Sequence, residues 1–115
     1  MNKNIASAIA YYEAMNNKDL STMAQYLHPE IQFVGPMAEM KGKETILGAL
    51  GQILALFKTL KIRTKLANDN DVMVVYDLDC PFPIGLLRIA ALLTFENDLI
   101  ARLELFFDAR PFEKK

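Results

Sequence analysis

Apolar positions recur every three or four residues through the first half of the chain and every second residue through the second half. Ile5, Ala8, Ile9, Tyr12 and Met15 fall on one face of an amphipathic helix, with Tyr11 on the flank of that stripe. Asn16-Asn17-Lys18 ends this helix, and Asp19 is an N-cap for a second, in which Leu20, Met23, Ala24 and Leu27 repeat the pattern until Pro29 stops it. Residues 31–34 read as a short strand closed by Gly35-Pro36. A third helix follows Gly42, with Ile46, Leu50, Ile53, Leu54 and Phe57 on one face. Gly48 and Gly51 lie away from that stripe, and each weakens a helix by about 1 kcal/mol relative to Ala. Close approach of a neighbour is the expected reason for them.

From Leu60 the period becomes two. Leu60, Ile62, Thr64 and Leu66 alternate with Lys61, Arg63 and Lys65, and Asn68-Asp69-Asn70-Asp71 makes a turn. Val72, Val74, Tyr76, Leu78 and Cys80 then alternate with Met73, Val75, Asp77 and Asp79. Pro81-Phe82-Pro83 breaks the chain before a strand over 84–95, and Glu96-Asn97-Asp98 turns it into a last strand over 99–108. Three helices followed by a meander of four strands predict an α+β fold with the helices on one face of the sheet. No internal repeat or linker interrupts the chain, so residues 1–115 are expected to form one domain.

Composition narrows the function classes. Apolar residues make up 52% and charged residues 23%, enough for a real core, and a formal net charge of -1 gives no support for nucleic-acid binding. Lys58, Lys61, Arg63 and Lys65 sit around apolar residues and read as one solvated strand face. Cys80 is the only cysteine, which rules out an internal disulfide and fits a reducing cytoplasm. One cysteine and one histidine are too few for a zinc site of the usual kind, so neither metal nor cofactor is expected. The amino terminus leads into an amphipathic pattern broken by Glu13, unlike a signal peptide, and no apolar run approaches the ~18 to 20 residues that span a bilayer. The expectation is a cytoplasmic protein with no membrane partner.

Three local motifs carry a family resemblance. Tyr11-Tyr12-Glu13-Ala14-Met15-Asn16-Asn17-Lys18-Asp19-Leu20 ends in an N-x-x-D-L corner, His28-Pro29-Glu30-Ile31-Gln32-Phe33 leads into the first strand, and Lys41-Gly42-Lys43-Glu44-Thr45-Ile46 opens the third helix. In this order the whole chain resembles the NTF2-like superfamily, which includes the SnoaL-like polyketide cyclases and ketosteroid isomerase. The resemblance implies a cystatin-like cone, a curved, mostly antiparallel sheet wrapped around three N-terminal helices and enclosing an apolar cavity. Gly42-Lys43 does not make a phosphate-binding loop, because Met37 stands where that motif needs its first glycine and Glu44 follows the lysine.

Ketosteroid isomerase works with an aspartate base and an oxyanion hole made by a tyrosine and a protonated aspartate. By resemblance the tyrosine corresponds to Tyr11, eight residues before Asp19. The base corresponds to Gly35 and the second donor falls near Ala91, neither of which can transfer a proton. Glu39, on the loop after Pro36, is a substitute acid if it reaches inward, against the plainer reading of a solvated loop charge. The limonene-epoxide-hydrolase branch implies an aspartate, arginine, aspartate set, which Asp77, Arg88 and Asp108 would imitate only if the register slipped by one residue and exchanged the two faces. His28 reads as a helix-end residue, Cys80 as a small buried hydrophobe and the methionines as packing filler.

Pairing the strands as hairpins puts the apolar set on one face. Tyr76, Leu78, Cys80, Ala91, Leu93, Leu103 and Phe107 from the sheet, with Tyr11, Phe33, Leu50, Leu54 and Phe57, form the candidate pocket for a small hydrophobic or aromatic ligand. A filled core made of the same residues is the alternative. On the other face Arg63, Asp77, Arg88 and Asp108 form a charge ladder beside Met73, Val75, Leu92 and Phe106. An apolar patch rimmed by charge predicts a twofold homodimer through this outer face.

Overall fold

The computed structural model describes residues 2–113. Its elements run α1 (Lys3–Asn16), α2 (Leu20–Ala24), β1 (Leu27–Val34), β2 (Glu39–Lys41), α3 (Lys43–Leu54), β3 (Thr59–Asn68), β4 (Asp71–Asp79), β5 (Leu86–Glu96), β6 (Leu99–Phe106) and α4 (Arg110–Glu113). The strands form one sheet in the order β2-β1-β6-β5-β4-β3. Strands β3 to β6 are the antiparallel meander that the period-two pattern predicts, and β1 joins it by running parallel to β6.

Asn2 caps α1 through its side-chain oxygen, and the helix ends in a Schellman turn, with Asp19 N–H donating to the Ala14 carbonyl and Lys18 N–H to the Met15 carbonyl. Lys18 takes the left-handed position usual for glycine, with φ 60°. That conformation sends its ammonium across to the carbonyls of Leu54 and Phe57, where it also sits 3.2 Å above the Phe57 ring centre. The end of α1 is thereby fastened to the end of α3. Gly42 precedes α3 with φ 97°, a conformation in which a side chain would be strained.

Several boundaries differ from the sequence pattern. The second helix stops at Ala24, and Leu27, His28 and Pro29 belong to β1. Pro29 lies in the irregular stretch between the Leu27–Ile100 and Gln32–Arg102 pairs, where its missing N–H breaks no ladder bond. A three-residue strand, β2, folds back on β1 after the Gly35–Ala38 turn, too short to show a period. Close approach explains neither helical glycine: a Cβ on Gly48 would meet nothing within 4 Å, and one on Gly51 only Leu20 at 3.9 Å.

The largest shift lies in β3. Ile62 pairs with Tyr76 and Thr64 with Val75, so Arg63 is a bulged residue opposite neither. Beyond it the faces exchange, and Leu66 pairs with outward-facing Met73 and stands 65% exposed instead of joining the core. Among the described residues no helix is long and apolar enough to cross a membrane, and no cluster of three or more His, Cys, Asp or Glu side chains could hold a metal ion.

Candidate functional site

The helices do not fill the concave face of the sheet evenly. The start of α1 lies at the β3–β4 and β5–β6 turns, where Asn2 donates to the Asp69 carbonyl and Lys3 pairs with Asp98 at 3.1 Å. At that end Val72, Val74, Ala91, Leu93 and Ile100 are wholly buried. At the other end α1 finishes against the start of β3, where Asn16 accepts from Leu60 N–H at 2.8 Å. There a cavity of about 510 Å³ opens between the sheet, the end of α1 and the side of α3.

Tyr11, Tyr12 and Met15 of α1 make one wall of this cavity, and Ala49, Leu50, Gln52 and Ile53 of α3, with Leu56 just beyond it, make the second. The floor is Tyr76 and Leu78 of β4, Leu87 and Ile89 of β5, and Leu103 and Leu105 of β6. Phe33, the Gly35–Ala38 turn, Met40, Phe107 and Phe112 complete the lining. Phe112, on α4, packs edge-on against Phe107 with ring centres 6.0 Å apart. Among the described residues that line the cavity none carries a charge, and Gln52 and three tyrosines supply the polar side-chain atoms.

The tyrosines form a cluster. The Tyr11 and Tyr12 rings meet edge to face at 4.9 Å between centres, and Tyr12 and Tyr76 lie tilted at 4.6 Å. Burial, first of all, pushes all three hydroxyls well above the usual tyrosine range, and the closeness of their neighbours adds to the rise for Tyr11 and Tyr12. They are therefore neutral O–H groups at any physiological pH. The Tyr12 and Tyr76 hydroxyls lie close enough to influence one another's ionisation, and among the described residues Tyr12 Oη is buried without a well-formed hydrogen bond.

Of the pocket residues anticipated from the alternation, Tyr11, Phe33, Leu50, Tyr76, Leu78, Leu103 and Phe107 line the cavity. Ala91 and Leu93 do not: they point to the same face but lie at the solid end, both wholly buried. Leu54 and Phe57 sit under the Lys18 clamp at the end of α3, and Cys80 is buried past the end of β4, all three outside the cavity wall. Tyr12, Met15, Ile53, Leu56 and Leu87 line it without having been anticipated there, although Tyr12, Met15 and Ile53 already belonged to the helical apolar stripes.

The candidate acids stay out of the cavity. Gly35 is part of its wall, and a Cβ there would approach the Phe33 ring at 3.2 Å. Glu39 is exposed on β2. Asp77 faces outward, paired across strands with Arg88 and approached by Arg63 and Arg88 at 4.0 and 3.8 Å. Among the described residues its Oδ1 is buried without a hydrogen-bond partner. Asp108 does not continue the ladder to Arg88, because β6 ends at Phe106 and Arg110 takes its carboxylate in several hydrogen bonds. Those bonds hold the Asp108 carboxyl at about 2, below the usual range. His28 lies in β1, where its Nδ1 accepts from Glu30 N–H, far along the sheet from the cavity wall.

The profile of the SnoaL-like domain matches residues 8–103. This chain belongs to the SnoaL-like family. A search of curated proteins finds no sequence match. A protein from Kribbella flavida superposes with a TM-score of 0.88 at 20% identity, covering 94% of this chain and 88% of that one. An NTF2-like protein of unknown function from Cytophaga hutchinsonii gives 0.81 at 21% identity, over 93% and 91% of the two chains. A steroid delta-isomerase from Pseudomonas aeruginosa gives 0.79 at 20% identity, over 94% and 81%. At these identities the likeness is one of fold: an NTF2-like cone, α+β, with helices packed in the curve of its sheet.

Proposed function

We propose that this SnoaL-like protein binds a small, uncharged, apolar or aromatic molecule in its cone. One observation carries the reading: a cavity of about 510 Å³ whose described lining includes no charged side chain. That volume lies within the range of small-molecule sites, and burial of apolar ligand surface contributes roughly 25 cal/mol per Å². Proton-transfer chemistry of the isomerase kind needs a base over the substrate, and the position that the family resemblance gives it is Gly35. Binding is therefore favoured over an isomerase, cyclase or epoxide-hydrolase activity.

The test is a titration of planar aromatic compounds into the wild type and into Ala49→Trp, which would fill the space beside α3. Wild-type protein should be stabilised by ligand and Ala49→Trp should not. Equal responses of the two proteins would place binding elsewhere, and no response from the wild type to any compound would remove the reading.

The outer sheet face supports a second proposal, a homodimer. Val75, Ala90 and Phe106 stand in one rung across β4, β5 and β6, Met73 pairs with Leu92, and Phe106 is 52% exposed. Asp77 with Arg88, and Arg102 with Glu104 at 3.3 Å, edge this strip with both signs of charge, as a self-complementary surface needs. Light scattering should give twice the chain mass for the wild type and the chain mass for Phe106→Asp. A wild-type monomer at tens of micromolar, an order of magnitude typical of modest interfaces, ends this idea. The buried free thiol of Cys80 fits a reducing compartment, and we place the protein in the cytoplasm on that ground.

A further inference from the structure

We infer that the second half of α3 is the movable wall of this cavity, loosened by Gly48 and Gly51 and latched by Lys18, and that ligand enters and leaves past it. The inference rests on the binding reading above and adds the route to the site.

The lining residues that reach solvent mark the opening. Pro36, Met37 and Ala38 of the β1–β2 turn are exposed, and so is Gln52 of α3, whereas the lining residues of α1 and of β4 and β5 are buried. The opening therefore lies between that turn and the second half of α3. The turn is tied by the Gly35 N–H, which donates to the Ala38 carbonyl at 2.9 Å, and by the β1–β2 ladder. Ladder bonds also fix the floor. The first half of α3 is equally firm, since Gly42 N–H donates to the Ile31 carbonyl at 2.8 Å and Ile46 is buried in the core.

Beyond Ile46 the helix changes character. Gly48 and Gly51 are exposed, and no neighbour requires them, because a Cβ would meet open space at the first and ordinary contact with Leu20 at the second. Two glycines one turn apart weaken that turn and let water reach its backbone, which favours local opening. The wall residues carried there, Ala49, Ile53 and Leu56, are half-buried. What shuts the wall comes from another element. Lys18 donates to the Leu54 carbonyl at 2.9 Å and to the Phe57 carbonyl, and its ammonium covers the Phe57 ring. Carbonyls at a helix end lack partners within the helix, so a cation is well placed to hold them. Just past Phe57, Lys58 N–H donates to the Asp79 carbonyl at 2.7 Å and anchors the chain. Residues 48–57 can thus part from the hollow without pulling on the sheet, the behaviour of a gating segment.

N-phenyl-1-naphthylamine, an uncharged aromatic probe that brightens in apolar surroundings, reads the exchange rates by stopped flow. The proteins compared are the wild type, the double variant Gly48→Ala with Gly51→Ala, and Lys18→Met. Association and dissociation should both slow about fivefold for each alanine, the size of the Gly-to-Ala preference in a helix, with the affinity unchanged. Ligand-free, the double variant should melt above the wild type, and amide hydrogen exchange over residues 50–54 should slow with the probe. Lys18→Met should speed both rates and the amide exchange, again without a change in affinity. The double variant decides alone if Lys18→Met does not fold.

Probe rates that stay at the wild-type values in the double variant, whether or not it melts higher, would overturn the gate while leaving cavity binding in place. A lower melting temperature for that variant would do the same, since the glycines would then serve packing. A probe that fails to bind the wild type, or binds Ala49→Trp equally well, would remove the cavity reading, and this inference with it.

Discussion

The two ends of the same concave sheet face are made of the same kinds of residue on the same strands, yet one is solid and the other hollow. Val72, Val74, Ala91 and Leu93 alternate just as Tyr76, Leu78, Leu87 and Ile89 do. What separates them is the run of α1. Its first turns lie over the β3–β4 and β5–β6 turns and close that end, whereas further along it bears Tyr11 and Tyr12, and the Tyr12 ring lies tilted against Tyr76 of the sheet. At the open end α3 packs on β1 and β2 and is held at its terminus by Lys18, which leaves the hollow between it and β4 to β6. Hollowness is thus a matter of helix placement and not of strand composition.

The contrast can be broken or sharpened by substitution. Leu93→Ala, at the solid end, should cost about 2–5 kcal/mol because it leaves a cavity that the neighbours cannot close. Leu56→Ala, at the edge of the existing hollow, should cost roughly 1 kcal/mol, little more than the lost transfer term. Urea melts of the two variants measure both, and equal costs would mean that the two ends are packed alike.

Enlargement should act in the reverse sense. Ala91→Leu should destabilise by about 1–3 kcal/mol through overpacking of a filled layer. Ala49→Leu has the hollow to grow into and should change stability by less than about 0.5 kcal/mol. Thermal melts in the absence of ligand separate the two outcomes.

The tyrosine wall makes the open end sensitive to alkali. Tyr11, Tyr12 and Tyr76 ionise far higher in the folded protein than in an unfolded chain. Their contribution is fully present below the unfolded value of about 10 and is lost as pH rises through it towards the folded values. By pH 10 the loss should be about 1 kcal/mol, read as a falling urea midpoint, and Tyr12→Phe should make the fall shallower.

The smallest effect concerns the start of α4, whose Phe112 lines the cavity. Asp108, whose carboxyl is held low by the Arg110 guanidinium, supports the start of α4. Its contribution is intact above about pH 4, the unfolded carboxylate value, and lost as pH falls towards about 2. Asp108→Asn should remove that acid dependence of the Phe112 region, and fluorescence-detected acid titration of the two proteins would reveal it.

Alternation along β4, β5 and β6 was enough to separate the core face from the outer face, because a side-chain period of two is a property of the extended backbone itself. It placed Asp77 and Arg88 outside, and the rungs Val75–Ala90–Phe106 and Met73–Leu92 stand as the pattern implies. The same logic failed past Arg63, since a bulge inserts one residue and exchanges the faces, and nothing local in Arg63-Thr64-Lys65-Leu66 marks it. The parallel union of β1 with β6 joins segments about 70 residues apart, as the Gln32–Arg102 hydrogen bond illustrates, and no pattern confined to either segment encodes it.

The sequence by itself determined the order of the long helices and strands and the two faces of β4, β5 and β6, which follow from residue type and spacing along one stretch of chain, and the family resemblance marked Gly35 as the place where a base is wanting. Tertiary structure decided which inward-facing residues surround empty space and which are buried solid, and it gathered Tyr11, Tyr12 and Tyr76 into one buried cluster. Those outcomes depend on how far a helix stands from a sheet. That distance is set by contacts between residues remote in sequence, such as Lys18 with Leu54 and Phe57, or Asn16 with Leu60.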